Sequence, residues 1–217
     1  MDGEPEPLRV VVADDHPFYR RGLARSLTAS GVTVVAEAPS GAAALQAVRE
    51  TSPDVVVMDL NMPGVSGLEA TRQVLAEAPE TRVLVLTVSA QETDIADAIA
   101  AGACGYVLKD RPVQEVIAGV RAAAAGESHF SSQLAMPLLR RLRDGSGIAV
   151  DVTGVAFDEP ERAVLAQLAE GRADHEIAVA MGIGIDDVRA HAASILSKLH
   201  RESRVKAALE ASAGRRR

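Results

Sequence analysis

Two patterns of apolar residues divide the chain. In the first 126 residues, short runs of Val, Leu and Ile alternate with Ala-rich segments of helical period. Near-continuous apolar runs are typical of strands buried on both faces of a parallel sheet, and each is followed by a segment long enough for a crossover helix. The predicted strands lie at residues 8–13, 32–38, 55–58, 83–86 and 106–108. The pattern predicts an α/β domain with a doubly wound, five-stranded parallel sheet.

Beyond this block the apolar residues keep only a helical period. One helix is predicted over 131–143, followed by a Gly- and Asp-containing stretch without an amphipathic period. Further helices are predicted at 159–170, 175–181, 185–200 and 203–213. These patterns predict three segments: an α/β domain over 1–126, a linker region over 127–156, and a small all-α domain over 157–217.

Composition and charge narrow the class of protein. Among the 217 residues, Cys104 is the single cysteine, which excludes an internal disulfide and a multi-cysteine metal site. No apolar run approaches the roughly 20 residues of a membrane helix, and no secretory signal is recognisable, so we expect a cytoplasmic protein without membrane contact. Residues 1–130 carry 10 Lys+Arg against 18 Asp+Glu. An acidic first block suits cation chemistry better than nucleic-acid binding.

Carboxylates follow two of the predicted strands. Asp14 and Asp15 come after the first strand, and Asp59 comes after the third. In the usual strand order 2-1-3-4-5 these strands are neighbours at the topological switch point, so the three carboxylates meet in one crevice. Oxygen ligands favour Mg²⁺ or Mn²⁺. Thr87 and Lys109 end the fourth and fifth strands and complete a cradle for a phosphoryl group, with Asp59 as the candidate acceptor.

Residues 8–126 resemble the receiver domain of two-component response regulators. The resemblance rests on the segments VVVADDHPFYRRGL, VVVMDLNMPGVSGLEA, VLVLTVS and AGACGYVLKD. It implies a flavodoxin-like fold, phosphorylation of Asp59 by a sensor histidine kinase, and phosphoryl-oxygen contacts from Thr87 and Lys109. It also implies a metal site made of Asp15, Asp14 acting through water, Asp59 and the backbone carbonyl of Asn61. Tyr106 matches the aromatic switch position.

An enzyme is the alternative for this first domain. Haloacid-dehalogenase-type phosphatases also form and hydrolyse an aspartyl phosphate on an α/β sheet. They carry a second Asp two residues after the nucleophile as general acid and base. Here that position is Asn61, which cannot transfer a proton. The sequence therefore favours a switch over a phosphatase.

Residues 157–213 resemble the LuxR-type helix-turn-helix domain, so the whole chain resembles the NarL/FixJ subfamily of transcriptional regulators. The matching segments are ERAVLAQLAEG, HEIAVAMGI and VRAHAASILSKL. The resemblance implies binding of promoter DNA as a homodimer, with 185–200 as recognition helix and 203–213 as pairing helix. Its candidate DNA-contacting residues are Arg189, Ala190, Ala193 and Lys198.

One departure from the LuxR-type pattern leaves a second function open. Asp186 and Asp187 place two carboxylates at the DNA-facing end of the recognition helix, where they repel phosphates. The alternative is a phosphorylation-controlled regulator that binds protein and has lost DNA affinity.

Overall fold

A parallel sheet with helices on both faces forms the first part of the molecule. The computed structural model describes residues 7–89, 91–143 and 155–214. Within them, six strands pair in parallel in the order β2-β1-β3-β4-β5-β6. The strands are β1 Arg9–Ala13, β2 Thr33–Ala38, β3 Val55–Met58, β4 Arg82–Thr87, β5 Gly105–Leu108 and β6 His129–Phe130. The predicted order of the first five strands is confirmed.

The sixth strand is a finding that the apolar pattern did not predict. It lies at the sheet edge, where His129 and Phe130 pair with Gly105 and Tyr106 of β5. Two residues, one of them a histidine, make no apolar run, and sequence alone assigned them to the linker region. The close approach requires a glycine, because a Cβ on Gly105 would lie 2.3 Å from the His129 carbonyl oxygen.

Small aliphatic side chains build the core around the sheet. The four residues of β3 are buried on both faces, as a central parallel strand requires. Five helices follow the first five strands: α1 Pro17–Ala29, α2 Gly41–Thr51, α3 Gly67–Glu77, α4 Glu92–Ala100 and α5 Val113–Ala124. The helices α2 and α3 pack on one face of β1 and β3, and α1 and α5 on the other. This three-layer arrangement confirms the predicted α/β class.

A helix after the sheet joins the two parts of the chain. It is α6, Ser132–Arg143, close to the predicted 131–143. The apolar side chains of Leu134, Met136 and Leu138 are buried in one cluster together with Tyr106 of β5 and Ile195 of the C-terminal part. The second half of the predicted linker region, 144–154, lies outside the described residues. The two parts of the molecule therefore share a hydrophobic core through α6.

Three helices form the C-terminal part: α7 Glu159–Ala169, α8 Asp174–Met181 and α9 Ile185–Gly214. A capping box between Asp158 and Glu161 opens α7, as expected for this pair of residues. The prediction of separate helices over 185–200 and 203–213 is wrong, because α9 runs through both. No Gly or Pro stands between them, and Arg201 and Glu202 are good helix formers, so nothing ends the first helix.

His200 of α9 contacts the β6 edge of the sheet. The Nδ1 atom of His200 lies 2.8 Å from Ser128 Oγ, and its ring meets Phe130 edge-on with centroids 5.4 Å apart.

No helix in the described part of the chain combines the length and apolar character that a membrane crossing needs.

Two glycine substitutions test the packing. Gly67 begins α3 so close to the end of β3 that an added Cβ would lie 1.8 Å from the Asp59 carbonyl oxygen. We expect Gly67→Ala to destabilise the fold by about 3 kcal/mol through overpacking. Gly22→Ala is the matched control, because its Cβ meets nothing within 4 Å on an exposed face of α1. It should stabilise by about 0.5–1 kcal/mol through helix propensity. Urea unfolding of both variants measures the difference, and equal shifts would contradict the prediction.

Candidate functional site

An acidic pocket lies at the carboxyl edge of the sheet. Asp14 and Asp15 follow β1, and Asp59 follows the neighbouring β3. Asp14 and Asp59 are each only 2% exposed. Ligand atoms of these three residues and of His16 all lie within 4.8 Å of one another. The structure thus brings together the carboxylates that the sequence placed at the switch point.

One ammonium group compensates the two buried carboxylates. Lys109 Nζ lies 2.7 Å from Asp14 Oδ2 and 2.8 Å from Asp59 Oδ2. It also lies 5.0 Å from the ring centre of Tyr19, in a cation–π contact. Burial, followed by the nearby charges of Asp14 and Asp59, raises the pKa of Tyr19 to about 12. The pocket therefore holds two buried carboxylates that are paired with one ammonium group.

The donor set of the pocket suits a hard divalent cation. Asp14 Oδ2 and Asp15 Oδ1 are buried and accept no hydrogen bond of good geometry in the described structure, although Lys109 and His16 pair with them electrostatically. Buried oxygens without hydrogen bonds are costly unless a cation satisfies them. Carboxylate oxygens are the ligands that Mg²⁺ and Mn²⁺ prefer. The residues present therefore fit a metal ion of that class.

Asn61 links Asp59 to Thr87. The backbone N–H of Asn61 donates to Asp59 Oδ1 at 3.3 Å, and the Asn61 amide lies 3.5 Å from Thr87 Oγ1. Thr87 Oγ1 also accepts the N–H of Ser89 at 3.2 Å. The hydroxyl of Thr87 is thus held within the same pocket edge as the carboxylates.

The ring of Tyr106 points into the protein. Its side chain is buried, and its hydroxyl donates to the Ser89 carbonyl at 3.0 Å. Burial raises the pKa of Tyr106, and the charge of Asp94 adds to the effect. The hydroxyl therefore stays protonated and acts as a donor. Its hydrogen bond ties β5 to the loop after β4.

A short hydrogen-bonded route connects β5 to α6. The N–H of Ser131 donates to the Tyr106 carbonyl at 3.0 Å, and Ser131 Oγ accepts the N–H of Leu108 at 3.4 Å. The same hydroxyl donates to Glu115 Oε1 at 2.5 Å. Ser131 directly precedes α6, so β5 is hydrogen-bonded to the residue at the start of that helix. Sequence reasoning missed this role because one serine before a helix carries no distinctive signal.

The candidate DNA-contacting residues differ in their surroundings. Arg189 is partly exposed and lies 3.6 Å from carboxylate oxygens of Asp174 and of Asp186. Ala190 is exposed, whereas Ala193 is partly buried against the core. Lys198 donates to Glu161 Oε2 at 2.6 Å. The structure does not place all four on one free surface, and their DNA contacts stay a prediction.

Glu161 is a buried carboxylate that does more than cap the start of α7. It is 1% exposed and accepts hydrogen bonds from Ser194 Oγ and Lys198 Nζ, both at 2.6 Å, and from the Asp158 N–H at 2.9 Å. Burial raises the pKa of Glu161, but the hydrogen bonds together lower it by a larger amount. The net pKa of Glu161 therefore lies below the ordinary value. Glu161 fastens α7 to α9.

The carboxylates at the start of α9 have a structural explanation. Asp187 Oδ2 accepts the N–H of Gly184 at 3.1 Å, which satisfies a backbone donor just before the helix. Negative charge at this end also interacts favourably with the helix dipole.

Comparison with known proteins gives two family matches. Residues 10–121 match the response regulator receiver domain, and residues 159–211 match the luxR family of bacterial regulatory proteins. The transcriptional regulatory protein LiaR of Bacillus subtilis is 37% identical over 205 residues, 94% of this chain and 96% of that protein. The nitrate/nitrite response regulator NarP of Escherichia coli is 36% identical over 207 residues, 95% of each chain.

A solved structure is similar to the first domain. The signal receiver domain of NarL from Mycobacterium tuberculosis has a TM-score of 0.54 and 39% identity, covering 56% of this chain and 99% of that one.

Substitution of Glu161 tests the ion pair in the C-terminal part. We expect Glu161→Gln to destabilise that part by on the order of 2 kcal/mol at pH 7, because Lys198 loses its charged partner. Because the pKa of Glu161 is lower in the folded than in the unfolded protein, its ionised carboxylate stabilises the fold at pH values above the unfolded-state pKa, about 4.3. This stabilisation is lost as the pH falls through the lower pKa of the folded state. The wild-type advantage should therefore shrink below about pH 4.

Urea unfolding at pH 7 and at acid pH measures this effect. Glu77→Gln is the matched control, because Glu77 pairs with Arg49 on the exposed surface. That variant should change stability little at either pH. A Glu161→Gln effect that is independent of pH would contradict the assigned ion pair.

Proposed function

The chain belongs to the two-component response regulators that join a receiver domain to a LuxR-type DNA-binding domain, and from that premise we propose that Asp59 is its phosphoryl acceptor. The observation that carries the proposal is the convergence of Asp14, Asp59 and Lys109 within 2.8 Å contacts at one buried sheet edge. Thr87 lies beside this group. The chain is a transcriptional regulator and not an enzyme, so slow loss of the phosphoryl group suits its use as a signal.

The phosphotransfer step needs little from the protein beyond positioning. A carboxylate oxygen of Asp59 forms a bond to phosphorus while the bond from phosphorus to the donor's leaving group breaks. The leaving group is a histidine nitrogen of the sensor kinase, or acetate when acetyl phosphate is the donor. Lys109 Nζ and Thr87 Oγ1 are placed to donate to the phosphoryl oxygens. Asn61 cannot act as a base for rapid hydrolysis.

A divalent cation, Mg²⁺ or Mn²⁺, belongs in the same proposal. Asp14, Asp15, Asp59 and the backbone carbonyl of Asn61 would hold it. When bound, such an ion neutralises charge on the phosphoryl oxygens during transfer. The buried oxygens of Asp14 and Asp15 that lack hydrogen bonds support this assignment.

Phosphorylation would alter the charge balance around Lys109. An acyl phosphate carries more negative charge than a carboxylate and adds acceptor oxygens that attract Thr87 and Lys109. Lys109 follows β5 directly, and β5 is hydrogen-bonded through Ser131 to α6. The packing of α6 against α9 would transmit this displacement to the DNA-binding domain as a population shift. Tyr106 is the proposed aromatic switch on this route.

The partners are a sensor histidine kinase, promoter DNA and a second copy of the chain. Phe18 is 91% exposed and lines, together with Lys109, a groove of about 350 Å³. An exposed aromatic beside the phosphorylation site supports kinase docking on this surface.

Binding to promoter DNA implies a cytoplasmic location. The domain limits 1–126, 127–156 and 157–217 belong to the same proposal.

Substitution of the acceptor tests the phosphorylation site. Incubation of the full chain with acetyl phosphate and Mg²⁺ should give about one labile phosphoryl group per chain, and Asp59→Asn should give none, because the nucleophilic oxygen is lost. Intact-protein mass spectrometry measures the adduct. Asp110→Asn is the matched control, since Asp110 is exposed beside Lys109. A persistent adduct in Asp59→Asn would overturn the assignment.

Altered amide exchange in residues 129–139 of the phosphorylated wild type would support the route through α6.

Substitution of Arg189 tests the DNA interface. Arg189→Ala should weaken binding to genomic promoter fragments about tenfold and reduce the salt slope by about one, because a phosphate or base contact is lost. Phosphate uptake at Asp59 should stay unchanged. Arg162→Ala is the control, since Arg162 is an exposed arginine on α7. Fluorescence anisotropy at several salt concentrations measures both values. Equal losses in the two variants would place the recognition surface elsewhere.

A further inference from the structure

Arg20 lies behind the acidic pocket, on the first turn of α1. Its side chain is only 12% exposed. Its Nη1 atom donates to the backbone carbonyl of Asp14 at 2.5 Å. The guanidinium therefore contacts the main chain of the pocket and leaves the carboxylate oxygens free for other partners.

The peptide groups of Asp14 are held from both sides. Its N–H donates to the Ala38 carbonyl at the end of β2, at 3.0 Å. Its carbonyl accepts from Arg20, whose Nε lies 3.4 Å from Glu37 Oε2 on the same strand. Arg20 thus joins β1, β2 and α1 at the residue where the acidic loop begins. The Asp14 side chain is fixed in turn, because its Oδ1 accepts the N–H of His16 at 2.9 Å.

Two effects of Arg20 on cation binding have opposite signs. Its positive charge repels a cation in the pocket, so charge alone predicts tighter binding when the arginine is removed. Its hydrogen bond fixes the Asp14 backbone, and Mg²⁺ demands near-ideal ligand geometry, so positioning predicts weaker binding when it is removed. Residues that orient a metal ligand by hydrogen-bonding to it commonly contribute about 10–100-fold to the metal affinity.

We infer that Arg20, which forms an ion pair with Glu37, is a positioning residue that sets the divalent-cation affinity of the Asp14–Asp15–Asp59 pocket. This inference rests on the proposed function. The partial burial of Arg20, whose side chain is 12% exposed, and its direct bond to the Asp14 carbonyl make the geometric effect larger than the charge effect. Lys109 supplies the charge compensation on the carboxylate side, so Arg20 is not needed for that purpose.

Mn²⁺ binding to the full chain, followed by electron paramagnetic resonance, tests the inference. We expect Arg20→Gln to weaken Mn²⁺ binding about tenfold and Arg20→Lys to recover part of the loss, because lysine keeps a donor but not the planar fork. Arg21→Gln is the matched control, since it removes the same charge from an exposed neighbour on α1. It should leave affinity unchanged or slightly tighter.

A second measurement separates positioning from loss of structure. At saturating Mn²⁺, Arg20→Gln should be phosphorylated by acetyl phosphate at the wild-type rate, whereas a damaged fold would stay slow at any metal concentration. Glu37→Gln, which leaves the Asp14 contact in place, should weaken Mn²⁺ binding in the same direction by a smaller factor. Affinity equal to or tighter than wild type in Arg20→Gln, or a rate that metal does not restore, overturns the inference. Failure of the wild type to bind Mn²⁺ overturns the proposed function instead.

Discussion

The ion pairs of Lys109 with Asp14 and Asp59 are the interaction on which the receiver side depends. Two carboxylates that are almost completely buried cannot stay charged without a compensating group, and one ammonium at 2.7 and 2.8 Å serves both. The strand order makes this possible, because β1 and β3 are neighbours and Lys109 follows the nearby β5. Any group that adds charge to Asp59 must therefore rearrange contacts of Lys109.

That constraint gives the output domain a physical reason to respond. Lys109 continues the same strand that carries Tyr106, and this strand is paired with β6 and hydrogen-bonded to Ser131 before α6. The buried side chains of α6 lie in one cluster with Tyr106 and with Ile195 of α9. A closely packed core resists gradual deformation, so a displacement of β5 favours a second packing arrangement over a local adjustment.

Sequence patterns predicted the fold and pocket where residues repeat or follow strands. Apolar runs indicated five strands, and the carboxylates after them indicated the acidic pocket. The patterns failed where a contact depends on tertiary structure. Two-residue β6 has no period of its own, and Arg20 contacts a backbone carbonyl that no motif identifies. The prediction of two helices over 185–213 failed for a different reason, because the sequence itself holds no helix breaker between them. The pairing of Lys198 with Glu161 was not predicted either, because the two residues are 37 apart in sequence; a DNA contact by Lys198 stays a prediction.

The carboxylates of Asp186 and Asp187 at the start of α9 disfavour DNA binding less than their charge alone indicates. Asp187 accepts the N–H of Gly184, so at least one carboxylate stabilises the helix start. Arg189 lies between Asp174 and Asp186, and Asp174 also pairs with Arg140 of α6 at 2.6 Å. In the proposed complex, a DNA phosphate competes with these carboxylates for Arg189. In the proposed switch, a rearrangement of α6 that moves Arg140 away from Asp174 would change that competition and so join the electrostatics of α9 to the state of Asp59.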